Sequence, residues 1–358
     1  MIESLFKRQP APLIGLDISA SSIKLVELTQ DSPAGEFTLE RCGVEPLQHG
    51  WVSEGNIENF DAVADAAKRL LQKTRTRAKQ VALAMPASAV ISKKMVLPAV
   101  LTEREMEAQV EMEANQYIPF SLDEVSLDFC VIGPTTSSEE DVDVMITASR
   151  REKVEGRQGL AEAVGLTPVV MDVDTYAARL ALGRLIEPAP ALDTRAPVAL
   201  FEIGGATSNL SVLAGEDLVY EHEQLFGGAQ LTQAIAHQYG FTEDEAESKK
   251  RAGDLPADYA DAVLAPFVES LAQEIERALK FFFTSTPHNK VERILLAGGS
   301  AGLIGLAEAV DEHTSFPCEV VDPFAGMQYG RAVNRDRLTR TASTYLTACG
   351  LAMRRFLR

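Results

Sequence analysis

Two periods of apolar and polar positions alternate along this chain. In residues 13–28 two apolar runs flank the small-residue turn Ser19-Ala-Ser-Ser22, which predicts a β-hairpin. Residues 59–74 then carry Phe60, Val63, Ala67, Leu70 and Leu71 at helical spacing. Residues 81–85 read as a short buried strand ended by Pro86. Thr102-Glu-Arg-Glu105 is a capping box, in which the Thr hydroxyl takes an amide of the first turn and Glu105 reaches back to the Thr amide. The helix it starts shows Met106, Val110, Ala114 and Tyr117 on one face, and Pro119 stops it. Strands are expected at 125–132 and 144–149, with a polar loop at 135–143 between them. A helix over 152–164 ends at Gly165. The Pro-rich stretch 187–197 predicts a connecting loop, and 258–284 a long helix with Val268, Leu271, Ile275, Leu279 and Phe282 on its core face.

Composition narrows the function classes. The 358 residues suggest about two domains, and 46% hydrophobic with 24% charged residues fits a folded protein rather than a disordered one. The formal net charge of −18 argues against nucleic acid or an anionic membrane face as the direct partner. Cys42, Cys130, Cys318 and Cys349 lie far apart and form no C-x-x-C pair, so buried free thiols in a reducing compartment are expected instead of zinc. No segment reads as a signal peptide or a membrane span, which predicts a cytoplasmic protein.

The most informative feature is an internal echo. Leu16-Asp-Ile-Ser-Ala-Ser-Ser-Ile-Lys-Leu-Val-Glu-Leu28 resembles Phe201-Glu-Ile-Gly-Gly-Ala-Thr-Ser-Asn-Leu-Ser-Val-Leu213, half a chain later. Each is an apolar strand ending in an acid, a turn of small residues and a second strand. Such turns let backbone N–H groups approach phosphate oxygens. The candidates in the first are Ser19, Ser21 and Ser22 with Lys24 as a point charge; in the second they are Gly204, Gly205, Ala206 and Thr207. Asp17 and Glu202, the strand-end acids, are placed to hold Mg²⁺ through water. A third segment, 291–310, reads as a strand, a Gly298-Gly299-Ser300 turn and a helix; a flat ring can lie on two residues that lack Cβ.

In this order, the three segments resemble the phosphate 1, phosphate 2 and adenosine motifs of the actin-like ATPase superfamily. Met171-Asp-Val-Asp174-Thr-Tyr-Ala-Ala178 sits where the first connecting helix belongs, and Gly227-Gly228 where the superfamily places glycines near phosphate. Ala246-Glu-Ser-Lys-Lys250 is similar to a pattern that sets Glu247 and Lys250 beside the nucleoside. Within the superfamily the match is closest to the PilM family of type IV pilus assembly, through Glu111-Met-Glu-Ala-Asn-Gln-Tyr-Ile-Pro-Phe120, Val125–Phe129, Thr147–Val154, Leu295–Ser300 and Ala348–Arg354.

That resemblance implies an α/β fold of two duplicated actin-like (ribonuclease H-like) domains, 1A and 2A. It implies 1A at 1–79 with 166–195 and about 331–358, and an FtsA-type 1C insertion at 80–165. Subdomain 2A would take 196–230 and 290–330, and 2B would take 231–289. It implies ATP and Mg²⁺ as cofactors, with Asp17, Asp174 and Glu202 as the catalytic acids. It also implies a partner, the N-terminal cytoplasmic tail of the membrane protein PilN, held in a groove between 1A and 1C, so that the protein lies peripheral to the inner membrane. Glu202 stands where the family has Asp, and Asp174 where it has Glu, each displacing a carboxylate by about 1.5 Å. ATP binding with at most weak hydrolysis is therefore expected. An FtsA-like division protein and a small-molecule kinase of the same superfamily are the alternative readings.

Charge is uneven. Residues 103–143 hold twelve acids and one base, −11 of the total −18. The plain reading is a solvated acidic face; the sharper one is a surface for a basic partner segment. The basic C-terminus, Met353-Arg-Arg-Phe-Leu-Arg358, is expected to be a helix end closing 1A.

Overall fold

A computed structural model describes residues 11–30, 35–53, 55–135, 138–186, 196–215 and 217–357. The first half runs β1 (Leu13–Ile18), β2 (Ser22–Gln30), β3 (Phe37–Pro46), β4 (Val52–Ser53), β5 (Asn56–Ile57), α1 (Phe60–Thr74), β6 (Gln80–Met85), β7 (Val90–Pro98), α2 (Glu103–Tyr117), β8 (Val125–Thr135), β9 (Ser138–Arg150), α3 (Arg151–Ala163), β10 (Thr167–Val173) and α4 (Asp174–Gly183). The second runs β11 (Val198–Ile203), β12 (Ser208–Ala214), β13 (Asp217–Gln224), α5 (Gly228–Tyr239), α6 (Glu243–Ala252), α7 (Ala265–Ser285), β14 (Ile294–Ala297), α8 (Leu306–Thr314) and β15 (Cys318–Val320). The chain closes with β16 (Gln328–Tyr329), α9 (Arg335–Thr339) and α10 (Leu346–Met353). The connecting loop expected at 187–197 falls, as far as residue 195, outside the described residues.

The duplication holds in three dimensions. One sheet is ordered β10-β6-β1-β2-β3-β16 and the other β15-β14-β11-β12-β13. In each, an antiparallel three-stranded meander is followed by parallel strands reached through helical crossovers. The registers match too: Asp17 stands opposite Lys24, and Glu202 opposite Asn209.

A second, three-stranded sheet, β7-β9-β8, leaves the first half. Its inner face packs Leu97, Val144 and Ile146 against Met106 and Val110 of α2. Glu105 caps α2 as expected, accepting from the Thr102 amide and hydroxyl at 2.8 Å each. Tyr117 departs from the expected core face: it is 50% exposed, with the Lys93 ammonium over its ring. The loop expected at 135–143 is instead mostly strand. Residues 141–143 pair with β7, and Ser138, Val142 and Asp143 pair with β8, while buried Asp143 is neutralised by Lys94 at 2.7 Å. Two elements within the 80–165 range belong to the first sheet's layer. β6 pairs with β1 and β10, and α3 packs on β6, β10 and α1.

The long helix expected at 258–284 begins as a π turn over Ala260–Leu264. Pro266 cannot donate to the carbonyl four residues back, and the backbone widens before it. Of the four cysteines, all free, only Cys349 is buried and Cys130 is exposed, so the expectation of buried thiols holds for one.

One core spans both halves. Val26, Leu28 and Leu39 of the first sheet, Val198, Leu200 and Leu295 of the second, and α10 between them share a single apolar cluster. All eight residues of α10 are buried. Past it, Arg354 grips Asp172 with two hydrogen bonds, 2.5 and 2.9 Å, and Phe356 meets Phe37 edge-on at 5.2 Å. The basic C-terminus is thus tied into the first half, as its sequence suggested.

Candidate functional site

Each half contributes a hairpin turn, and the two turns touch. A Cβ on Gly205 would sit 3.3 Å from the Ser21 Cβ. The Gly227-Gly228 segment folds over the second turn: the Gly228 amide donates to Gly204 and the Ala229 amide to Gly205. A Cβ on Gly227 would lie 2.6 Å from the Gly205 carbonyl oxygen, so only glycine allows this approach. The third turn adjoins it. Gly298 has φ +92° and its Cα faces the Ile203 backbone, two conditions that glycine alone meets. The Ser300 hydroxyl is 2.6 Å from where a Gly228 Cβ would be. The amides of Gly205, Ala206 and Thr207 donate to no main-chain carbonyl among the described residues.

The charged residues gather under these turns. Lys24 pairs with Asp17 at 2.8 Å and donates to the Ser19 hydroxyl at 3.0 Å, so its charge is already engaged. Asp174, first residue of α4, accepts from the Ala87 amide (2.9 Å) and the Thr175 amide (2.7 Å). Burial pushes its carboxyl up to about 7, and the Asp17 charge adds to this against the hydrogen bonds and Arg157. Burial, then Asp174 and Asp17, push Glu202 up to about 8. Glu202 accepts from the Thr347 hydroxyl of α10 at 3.3 Å. Three acids crowd here with too little positive charge among them. Yet no three Asp, Glu, His or Cys side chains among the described residues are arranged to hold a metal ion by themselves.

Glu247 and Lys250 face one another at 2.6 Å on α6. Lys250 also donates to the Gly228 carbonyl (3.2 Å) and the Thr232 hydroxyl (2.6 Å), while Thr232 donates to Glu247 (2.5 Å). Burial acts to raise Glu247, but the bonds from Lys250 and Thr232 hold it below the usual carboxylate range. Arg251 extends this network across the cleft, bonding Glu247 at 2.7 Å and the Ser21 carbonyl at 3.2 Å.

These contacts bring Ser21, Gly204, Gly205, Gly227, Gly228, Ser300, Glu247 and Lys250 together, and Asp17 with Lys24, Asp174 and Glu202 beside one another. Sequence reasoning missed Arg157, Thr232, Arg251 and Thr347. For Arg157 a signal existed: Val154, Arg157, Leu160 and Ala161 mark the buried face of α3 at helical spacing. Beside the cleft, a pocket of about 230 Å³ opens between the three-stranded sheet and α4, walled by Val90, Ser92, Thr175, Tyr176 and Glu221.

Comparison with known proteins agrees with this architecture. The PilM-PilN type IV pilus biogenesis complex contains a chain 30% identical to this one, covering 97% of this chain and 99% of that one, with a TM-score of 0.80. The ethanolamine utilization protein EutJ from Carboxydothermus hydrogenoformans shares the fold at 15% identity, covering 99% and 93% of the two chains, with a TM-score of 0.57. The fold is actin-like. The family described as type IV pilus assembly protein PilM matches residues 15–356, and this chain belongs to it.

Proposed function

We propose that this protein is an ATP-binding scaffold of the type IV pilus inner-membrane platform. The observation that carries the reading is the meeting of three small-residue turns, Ser19–Ser22, Gly204–Thr207 and Gly298–Ser300, above the acids Asp17, Asp174 and Glu202. The turns would hold the phosphates through backbone amides and hydroxyls. Asp17 and Glu202 would hold Mg²⁺ through water, and the metal would neutralise charge on the phosphates. Glu247 and Lys250 would lie beside the nucleoside. Binding is the main role, because hydrolysis also requires a positioned water and the acids here have altered reach. No helix among the described residues is long and apolar enough to cross a membrane. We read the protein as cytoplasmic and attached to the inner membrane through its partner.

Lys24→Ala is expected to weaken ATP binding by at least about tenfold, read by calorimetry, because the turn loses a cation and Asp17 is left unpaired. Unchanged affinity would remove the lysine from the phosphate site.

The partner is the N-terminal cytoplasmic tail of PilN, bound along the three-stranded excursion, which we read as subdomain 1C. A relative's complex with PilN supports this. So does the acidic surface, where Glu103, Glu107 and Glu111 stand exposed at four-residue spacing on α2. Tail affinity should fall at least about tenfold from ~0.05 M to ~0.5 M salt. A flat titration would assign the acids to solvation alone.

A further inference from the structure

Arg157 holds a position that no motif indicates. It is 2% exposed on the inner face of α3. Its two terminal nitrogens donate to the Ile18 carbonyl (3.3 Å) and the Gly55 carbonyl (3.2 Å), and its Nε is buried without a partner. Ile18 is the last residue before the first turn. No carboxylate lies within ion-pair distance of Arg157 among the described residues; burial lowers its pKa, and the fields of Asp17 and Asp174 act the other way, in favour of its charge. A guanidinium keeps its proton even when buried. Burying one without a direct ion pair is costly, so the surroundings must compensate.

The charges of the cleft show what it compensates. Lys24 is paired with Asp17 at 2.8 Å, and Asp174 and Glu202, close enough to feel the Asp17 charge, have no ion-pair partner among the described residues. We infer that Arg157 is the fixed counter-charge of this site: a permanent cation in the floor of the first turn that offsets the acids and favours a polyphosphate bound above. It acts through space and through the Ile18 carbonyl, so it is a positioning residue rather than a ligand contact. This inference rests on the nucleotide reading of the same cleft.

The test compares Mg²⁺-ATP, Mg²⁺-ADP, AMP and adenosine binding by calorimetry in the wild-type chain, Arg157→Gln and Arg157→Lys. In Arg157→Gln, ATP and ADP affinity should fall about tenfold or more while adenosine changes less than about threefold, because the charge acts on phosphate. Arg157→Lys loses the planar fork and, buried without a carboxylate partner, gives up its charge as pH rises. Its ATP-to-adenosine affinity ratio should therefore approach the wild-type ratio at pH ~6 and drop about tenfold or more below it at pH ~9, even if its Tm drops. A uniform loss for all four ligands in Arg157→Gln, or none, overturns the inference. Should Arg157→Gln not fold, Arg157→Lys decides: a ratio that drops below wild type at pH ~9 supports the charge role, and a ratio equal to wild type at both pH values overturns it. A wild-type chain that binds none of the four sinks the nucleotide reading together with this inference. Wild-type binding with either failure above sinks the role of Arg157 alone.

Discussion

Gly350→Ala is expected to destabilise the protein by about 3 kcal/mol or more, although alanine is the better helix former by ~1 kcal/mol. The reason is a backbone-to-backbone contact. A Cβ at Gly350 would overlap the Ala177 carbonyl of α4, which cannot rotate away as a side chain would. On the opposite side of α10, a Cβ at Gly15 of β1 would strike the Ala348 carbonyl. The helix is clamped between a strand and a helix through two glycines, and all eight of its residues are buried. Relief would require moving α10, which lies in the core shared by both sheets. Strain at this point should therefore spread to both halves. Thermal unfolding followed by circular dichroism checks this. A Tm within about a degree of wild type would mean that α10 can shift at little cost.

The second large effect concerns Glu202. Its carboxyl is pushed up to about 8 by burial, with Asp174 and Asp17 adding to it. An unfolded glutamate titrates near ~4.3. Between those values the native state holds a proton that the unfolded state has lost, so the contribution of Glu202 to stability falls as pH rises from ~4 to ~8 and levels off above. Asp174, pushed to about 7, acts in the same direction over a narrower window. Glu202→Gln cannot ionise and keeps an oxygen for the Thr347 hydroxyl. It should be more stable than wild type at pH 8 by ~2 kcal/mol or more, with little difference at pH 5. The same variant should bind Mg²⁺-ATP more weakly, since it removes a carboxylate proposed to hold the metal's waters. Denaturant melts at the two pH values, paired with calorimetry, read both effects. Equal stability at both pH values would show that Glu202 is solvated well enough to ionise normally.

Much of this was legible in the chain. Apolar runs around Ser19–Ser22 and Gly204–Thr207 fix two hairpins, because alternation and small turn residues are local properties. The echo between them placed Asp17 and Glu202 at equivalent strand ends, and the two sheets repeat that equivalence. The Thr102–Glu105 cap was readable for the same local reason. Where the sequence pattern misled, a distant partner was responsible. The polar arm 138–143 became strand because β7 and β8 offered it pairing edges, and Tyr117 left the expected core face under a lysine from β7.

By itself, the sequence determined most of the elements it marked, the duplicated hairpins and the identities of the small and acidic residues in the turns. These follow from periodicity and turn chemistry within a few residues of each other. Only the tertiary structure decided what those residues meet. It engaged Lys24 with Asp17, set Thr347 on Glu202 from 145 positions away, carried Arg251 across the cleft to Ser21, and buried Arg157 beneath Ile18. The energy of a buried charge depends on neighbours brought together by folding, and spacing along the chain does not encode them.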